Sequence, residues 1–215
     1  MKDINFDLRL GKLKLLVPVC FILSIGITSP GCSKNGSYLS SHGEVSKNLS
    51  AIKNVHLVEL QNKTQYPQIS EDITESLHQS LQKKQWFNLS LLKQTDATWE
   101  ALEVKPDSAY TLEQLLAARK LLGTDALLIG TVTSYSPYPR MAMGLQLKLV
   151  DLRTGQVVWA IQQIWDTADK ATQQRIKKYF DQQLRSDFSP IGEQLATLSP
   201  LNFIKFITYE VTETM

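Results

Sequence analysis

Cysteine is scarce in this chain of 215 residues, which contains only Cys20 and Cys32. Cys20 lies inside an apolar stretch near the N-terminus that we expect to be removed from the mature protein. One cysteine would then remain, so no internal disulfide could form. Cys32 therefore needs a role other than disulfide pairing.

Net charge is also nearly absent. The formal charge is +2, and residues 1–14 alone carry four basic and two acidic side chains. Without them, 19 basic and 19 acidic residues remain. A nucleic-acid-binding domain needs a basic surface, so the sequence predicts that nucleic acid is not a partner.

Catalytic motifs are missing as well. The chain has no phosphate-binding glycine loop, no dinucleotide fingerprint and no serine nucleophile elbow. Its three histidines, at positions 42, 56 and 78, lack the spacing of metal ligands. Asp125 and Asp151 fall at strand ends, where aspartate is common in turns. We therefore expect no enzymatic activity and no metal or other cofactor.

The N-terminus has the pattern of a secretory signal peptide. A charged start precedes the apolar run Leu15 to Ile27, whose thirteen residues are fewer than the about 20 of a membrane span. The next residues, Thr28 to Cys32, resemble the lipobox of bacterial lipoproteins, although Ser29 and Pro30 are not its usual residues. The resemblance implies a signal peptide of residues 1–31 and fatty acyl chains, palmitate among them, on Cys32. A simple signal peptide with an unmodified cysteine is the alternative.

Lipidation of Cys32 would anchor the protein to a membrane. Each buried methylene contributes about 0.8 kcal/mol, and stable anchoring takes at least two chains. Ser33, rather than aspartate, follows the cysteine, and by resemblance to enterobacterial lipoproteins this implies the outer membrane, facing the periplasm. Residues 32–54 are rich in Ser, Gly, Asn and Lys and predict a flexible tether. About 20 such residues reach roughly 25 Å.

Residues 123–166 predict three consecutive strands. The first, Ala126 to Tyr135, opens with an apolar run typical of a strand buried on both faces. The second, Met141 to Val150, alternates apolar and polar residues, which indicates one covered face. A loop of residues 151–155 with Gly155 at its end predicts a hairpin. The apolar face of the third strand would consist of Val157, Trp159, Ile161 and Trp165.

The remaining pattern predicts two more strands, Val55 to Leu60 and Trp86 to Leu92, and four helices. Residues 94–110 break the periodicity and allow only a short helical turn. The last helix could also lie on a membrane surface, but it lacks the basic face of such helices, so we favour core packing. The first helix is expected to be capped by Ser70, with Ile73, Leu77 and Leu81 in the core. The second should begin with the Thr111–Gln114 capping box, bury Leu112, Leu115, Leu116 and Leu122, and end at Gly123. The third should be capped by Asp166 or Thr167 and bury Ile176, Phe180 and Leu184, and the fourth should begin at Ser199 and Pro200 and bury Phe203, Phe206, Ile207 and Val211.

These elements predict an α+β fold. The order β-α-β-α-β-β-β-α-α gives a mixed, largely antiparallel sheet packed against helices, preceded by the signal peptide and the tether. Residues 55–215 would form this single domain, which is long enough for one sizeable core.

One loop between strands has the composition of a binding surface. Residues 134–140 contain Tyr135, Tyr138 and Arg140 together with two prolines. Tyrosine and arginine are enriched at binding hot spots, and a stiff loop loses little entropy on association. We predict that these three residues bind a protein. The alternative is a loop whose tyrosines fold back onto the domain.

Two segments carry a resemblance to known families. Leu122 to Thr133 (LGTDALLIGTVT) and Leu149 to Trp159 (LVDLRTGQVVW) are similar to a superfamily of periplasmic lipoproteins. It includes the curli-secretion channel lipoproteins and the penicillin-binding-protein activator lipoprotein B family. The match covers residues 55–166 well and the last fifty less well.

The resemblance implies one of two functions. One is a subunit of an outer-membrane secretion assembly, which would need added membrane-spanning hairpins that the sequence does not show. The other is a protein-binding accessory, scaffold or regulator of cell-envelope machinery. We favour the second, with an envelope protein as partner, and self-association into a homo-oligomer stays open.

Overall fold

The computed structural model describes residues 49, 51–102, 104, 106, 108–183 and 199–215. The signal peptide, Cys32, most of the predicted tether and Leu184 lie outside these residues. The elements are β1 Asn54–Val58, β2 Gln61–Asn62, α1 Ile69–Lys84, β3 Asn88–Leu92, α2 Ala97–Glu100, α3 Leu112–Leu122, β4 Ala126–Ser136, β5 Ala142–Asp151, β6 Val157–Asp166, α4 Lys170–Gln183 and α5 Pro200–Glu213.

The strands form one mixed sheet in the order β3-β1-β4-β5-β6, with β2 beside β4. β1 pairs in parallel with β3 and β4, whereas β4, β5 and β6 form an antiparallel meander with much longer ladders. The predicted α+β class and element order are confirmed. The structure adds the two-residue strand β2 and shows the expected helical turn within residues 94–110 as α2.

Helices cover both faces of this sheet. On one face, which we call face A, α1 and α5 pack together over the larger core with Trp159 and Trp165 of β6. On the other, face B, α2 and α3 cover a smaller core that contains Trp99, Leu115 and Ala118. The core positions predicted for the last helix are all buried, which confirms core packing. Ile52 is buried too, so the packed region begins before Val55. Among the described residues, no helix is both long and apolar enough to cross a bilayer.

The β5–β6 hairpin is confirmed. Gly155 has a φ of 72°, which a residue with a side chain rarely adopts. The Arg153 guanidinium donates two hydrogen bonds to the Asp151 carboxylate, at 3.1 and 2.8 Å. Burial alone would raise the pKa of Asp151, but the hydrogen bonds and charge of Arg153 outweigh it and hold that pKa below its usual value.

β6 begins at Val157 as predicted, but the prediction that Val157 shares the buried face with Trp159 is wrong. The ladder between β5 and β6 shifts register near Leu149 and Val150. Because such a bulge moves the following side chains to the opposite face, Val158 joins the core and Val157 is 54% exposed.

The helix α3 buries fewer leucines than its sequence predicts. Leu115 and Ala118 face the core, whereas Leu112 and Leu116 are exposed. The capping box of Thr111 and Gln114 is present as predicted. Leucines occur around most of this helix, so the tertiary contacts with the sheet decide which of them are buried.

Three elements begin at residues other than those predicted from the sequence. α1 begins at Ile69 with Gln68 as its N-cap, and the predicted cap Ser70 lies inside its first turn. α4 begins at Lys170, and the carboxylate of Asp169 accepts hydrogen bonds from the N–H groups of Ala171 and Thr172. β3 begins at Asn88, because the chain leaves α1 through Gln85 in the left-handed conformation.

Candidate protein-binding surface

The predicted binding loop connects β4 to β5, and hydrogen bonds hold both of its ends. The backbone N–H and the hydroxyl of Thr167 both donate to the carbonyl of Met141, at 2.9 and 3.0 Å. The hydroxyl of Ser136 donates to the carbonyl of Tyr138 at 3.3 Å. Since the side chain of Met141 is buried in the larger core, the loop is fixed to the domain on the side of β5.

The two tyrosines of this loop have different surroundings. Tyr138 is 84% exposed, so its ring is available to a partner. Tyr135 is half-buried and meets the edge of the Tyr66 ring, with the ring centroids 5.2 Å apart. Burial raises the pKa of Tyr135, and the charge of Asp72 and the neighbouring Tyr66 add to this rise. Of the two, only Tyr138 offers most of its surface to another molecule.

A bulge in β4 explains the position of Tyr135. The ladder with β5 shifts between Val132 and Ser134. Tyr135 consequently pairs with Met143 on face A, beside the larger core. Without the extra residue in β4, the side chain of Tyr135 would lie on face B, as that of Thr131 does.

Arg140 lies at the surface near the end of β6. Its guanidinium nitrogen is 3.8 Å from a carboxylate oxygen of Asp166. An exposed pair at this distance contributes little, about 0–1 kcal/mol. Arg140 can therefore exchange this contact for one with a partner, and Tyr138 and Arg140 remain together as the predicted surface.

The acidic residues at the strand ends have structural contacts. Asp125 accepts hydrogen bonds from the backbone N–H groups of Lys53 and Asn54, both at 3.1 Å, and thereby joins the start of β1 to the turn before β4. Asp151 forms an ion pair with Arg153. Within the described part of the chain, no group of three or more His, Cys, Asp or Glu residues could hold a metal ion.

Sequence reasoning missed a cleft beside β6. A cavity of about 460 Å³ lies between β6, α4 and α5, and Gln163, Arg175, Lys178, Tyr179 and Tyr209 contribute to its walls. The signal was present, since residues 157–165 (VVWAIQQIW) have neither charge nor proline. The local sequence did not reveal that this strand would stand at the edge of the sheet.

A second, smaller cavity lies on face B. It has a volume of about 230 Å³ and is lined by Pro106, Ile129, Thr131 and Gln162, among others. Thr131 is fully buried, and its hydroxyl has no hydrogen-bond partner among the described residues. Buried hydroxyl groups usually have a partner, and one bound water in this cavity would supply it.

Comparison with known proteins relates the chain to one family. The family model described as peptidoglycan-synthase activator LpoB matches residues 39–164, which is more than half of the chain. This supports the activator part of the resemblance, while the curli-secretion part stays a prediction. No curated protein matches the chain significantly.

Solved structures of low sequence identity are also similar. The PelC dodecamer from Paraburkholderia phytofirmans is 13% identical, covering 76% of this chain and 87% of that one with a TM-score of 0.45. Lipoprotein GNA1162 from Neisseria meningitidis is 15% identical, covering 62% and 99% with a TM-score of 0.44. The LpoB C-terminal domain from Salmonella enterica is 24% identical, covering 57% and 92% with a TM-score of 0.39.

Proposed function

The chain belongs to the family of the peptidoglycan-synthase activator LpoB, and from this we propose that it binds a peptidoglycan synthase and raises the activity of that enzyme. It would act as a regulator of the cell envelope and would carry no catalytic activity of its own. The match to the family over residues 39–164 is the observation that carries this proposal.

The proposed location is the periplasmic side of the outer membrane. The residues before Cys32 resemble a lipobox, and Ser33 follows the cysteine. Acyl chains on Cys32 would hold the protein at the membrane. Residues 32–54 would then connect this anchor to the domain, so that the domain could reach a synthase at a distance from the anchor.

The proposed contact surface is the loop with Tyr138 and Arg140. The ring of Tyr138 is exposed, and a tyrosine has only two side-chain torsions to immobilise, so it loses little entropy on binding. Arg140 supplies a cation whose present contact with Asp166 is weak. Tyr135 would support the loop from inside through its contact with Tyr66.

The structural contacts of the acidic residues are consistent with a role without catalysis. Asp125 accepts two backbone hydrogen bonds, and Asp151 is held by Arg153 with its pKa lowered. A carboxylate held ionised in this way suits a structural contact better than general acid catalysis, which needs a raised pKa.

The test is a reconstituted synthesis assay. The purified full-length chain in detergent is added to a purified peptidoglycan synthase of the same organism with its precursor, and peptidoglycan synthesis is followed. We expect a several-fold increase in rate that saturates with the concentration of the chain. Heat-denatured chain is the control. An unchanged rate, together with no measurable binding to the synthases of that organism, would refute the proposal.

A further inference from the structure

In the part of the chain that the structure describes, the strand β6 pairs with β5 on one side and with no strand on the other. Among the described residues, no backbone hydrogen bond outside the regular elements involves residues 158–165. In an antiparallel pair, alternate residues turn their N–H and C=O groups away from the partner, so this edge presents donors and acceptors at the spacing of an extended backbone.

The sequence of β6 also lacks the features that usually protect an edge strand against pairing. Natural edge strands carry charged residues, proline or bulges, or are very short. β6 spans ten residues, and residues 157–165 contain no charge and no proline. Its one bulge faces β5 at the beginning of the strand. Ile164 is 59% exposed on face B, so an added strand would find an apolar side chain to pack against.

The cleft between β6, α4 and α5 lies beside this edge on face A. Gln163 of β6 belongs to its wall. The ring of Tyr179 lies 4.8 Å from that of Tyr209 and 5.8 Å from that of Phe206, measured between centroids. The rings form an apolar wall, and the volume of about 460 Å³ can accept large side chains projecting from an added strand.

Charge on α4 indicates the chemistry of the partner. The helix Lys170–Gln183 contains four cationic residues and one acidic residue. Of the two cations in the cleft wall, Arg175 is hydrogen-bonded to Glu210 at 2.8 Å, whereas Lys178 forms no ion pair with another described residue. The wall also contains two acids, but Glu210 pairs with Arg175 and Glu213 pairs with Lys84. Lys178 is therefore the charged group of the described wall that can meet a carboxylate of a segment beside β6.

The same charge argues against a second copy of this chain as the occupant. If two β6 edges paired about a two-fold axis normal to the sheet, both copies of α4 would lie on the same side of the sheet. Two helices with an excess of positive charge would then face each other, and like charges at an interface are unfavourable.

We propose that the β6 edge and the adjoining cleft bind an extended, acidic segment of the partner protein by adding it as a further strand to the sheet. The hydrogen-bonding groups of β6 bind the backbone of this segment, the aromatic wall receives an apolar side chain, and Lys178 pairs with a carboxylate. This inference rests on the proposed function, because the segment belongs to the synthase.

A designed peptide tests the mode of binding. The probe is a fluorescein-labelled peptide of about nine residues, the length that β6 can pair, with tyrosine and glutamate at odd positions to face the cleft and valine at even positions to face Ile164. We expect saturable binding to the full-length chain, observed by fluorescence polarisation, and slower amide hydrogen exchange in residues 158–165. The same peptide with every backbone amide N-methylated has no backbone N–H to donate to β6 and should not bind.

Matched variants test the site. Lys178→Glu reverses a charge in the cleft wall, and Lys120→Glu makes the same change on α3, on the other face of the sheet. We expect the first to weaken peptide binding by about tenfold and the second to leave it unchanged. Equal binding of the N-methylated peptide, equal sensitivity of the two variants, or no binding up to about 1 mM would overturn the inference. Self-association of the chain that Ile164→Glu abolishes would show that a second copy is the occupant and would overturn it too.

The synthesis assay separates this inference from the proposed function. If Lys178→Glu and Ile164→Glu stimulate the synthase as the unaltered chain does, the partner does not use this edge, while the proposed function stands. If the peptide binds as expected but the unaltered chain neither binds nor stimulates a synthase, the edge accepts strands and the proposed function fails.

Discussion

The indole N–H of Trp165 donates a hydrogen bond of 2.7 Å to the carboxylate of Glu210. This contact joins the end of β6 to α5, and the other carboxylate oxygen of Glu210 accepts from Arg175 of α4 at 2.8 Å. One partly buried acid therefore links three elements around the β6 cleft.

Replacement of Glu210 tests the importance of this link. Glu210→Ala leaves the buried indole N–H of Trp165 and the guanidinium of Arg175 without their acceptor, so we expect the free energy of unfolding to fall by about 1–3 kcal/mol. Urea denaturation measures it. Glu213→Ala is the matched control, since its contact is an exposed pair with Lys84 and its loss should cost less than about 1 kcal/mol. Equal losses for the two variants would contradict the prediction.

The pair of Asp151 and Arg153 predicts a dependence of stability on pH. The pKa of Asp151 is lowered in the folded protein, so this carboxylate contributes stability above its unfolded pKa. That contribution is lost as the pH falls through the lower, folded pKa. Between about pH 5 and pH 2, the unaltered chain should lose more stability than Asp151→Asn in urea titrations. Asp181→Asn, at an exposed position of α4, should follow the unaltered chain.

The loop surface predicts a specific loss of binding. Tyr138→Ala combined with Arg140→Ala removes the exposed ring and its neighbouring cation, so we expect the affinity for the partner synthase to fall by about tenfold or more. The melting temperature should stay unchanged, because neither side chain packs in the core. Biolayer interferometry and differential scanning fluorimetry provide the two measurements. Leu121→Ala combined with Arg119→Ala, at exposed positions of α3, should have no effect on binding.

The predicted anchor can be tested on the intact protein. Mass spectrometry of the mature N-terminus should find acyl chains on Cys32, since such chains would supply the membrane affinity. In Cys32→Ala these chains should be absent. Cys20→Ala is the control, since the predicted cleavage removes that residue. An unmodified Cys32 in the mature chain would refute the prediction of lipidation.

The sequence predicted strongly periodic elements well. Met143, Leu145 and Leu147 alternate with polar residues over one strand, and this local pattern was enough to place β5 and its buried face. Gly155 likewise fixed the hairpin, because few other residues adopt its conformation. These predictions needed only neighbouring residues.

Features that depend on distant contacts could not be predicted in this way. The exposure of Leu112 depends on how α3 lies on the sheet, and the exposure of Val157 depends on a bulge. The same applies to the candidate surface. Tyr135 and Tyr138 looked equivalent in sequence, and the bulge in β4 turns only Tyr135 toward Tyr66. That β6 is the last strand among the described residues follows from the order of the strands, which no single segment contains.

The strand β4 belongs both to the parallel part of the sheet, where it pairs with β1, and to the antiparallel meander with β5 and β6. This position determines the order in which we expect the sheet to fold. Short loops connect β4 to β5 and β5 to β6, so these two ladders pair residues that are near in sequence. The pairing of β4 with β1 joins residues about 70 positions apart. Closing a longer chain segment costs more entropy before any contact forms. We therefore expect the meander to form first and to act as the template on which β1 and then β3 assemble, so that pulsed hydrogen exchange during refolding protects the amides of residues 127–150 before those of residues 55–58.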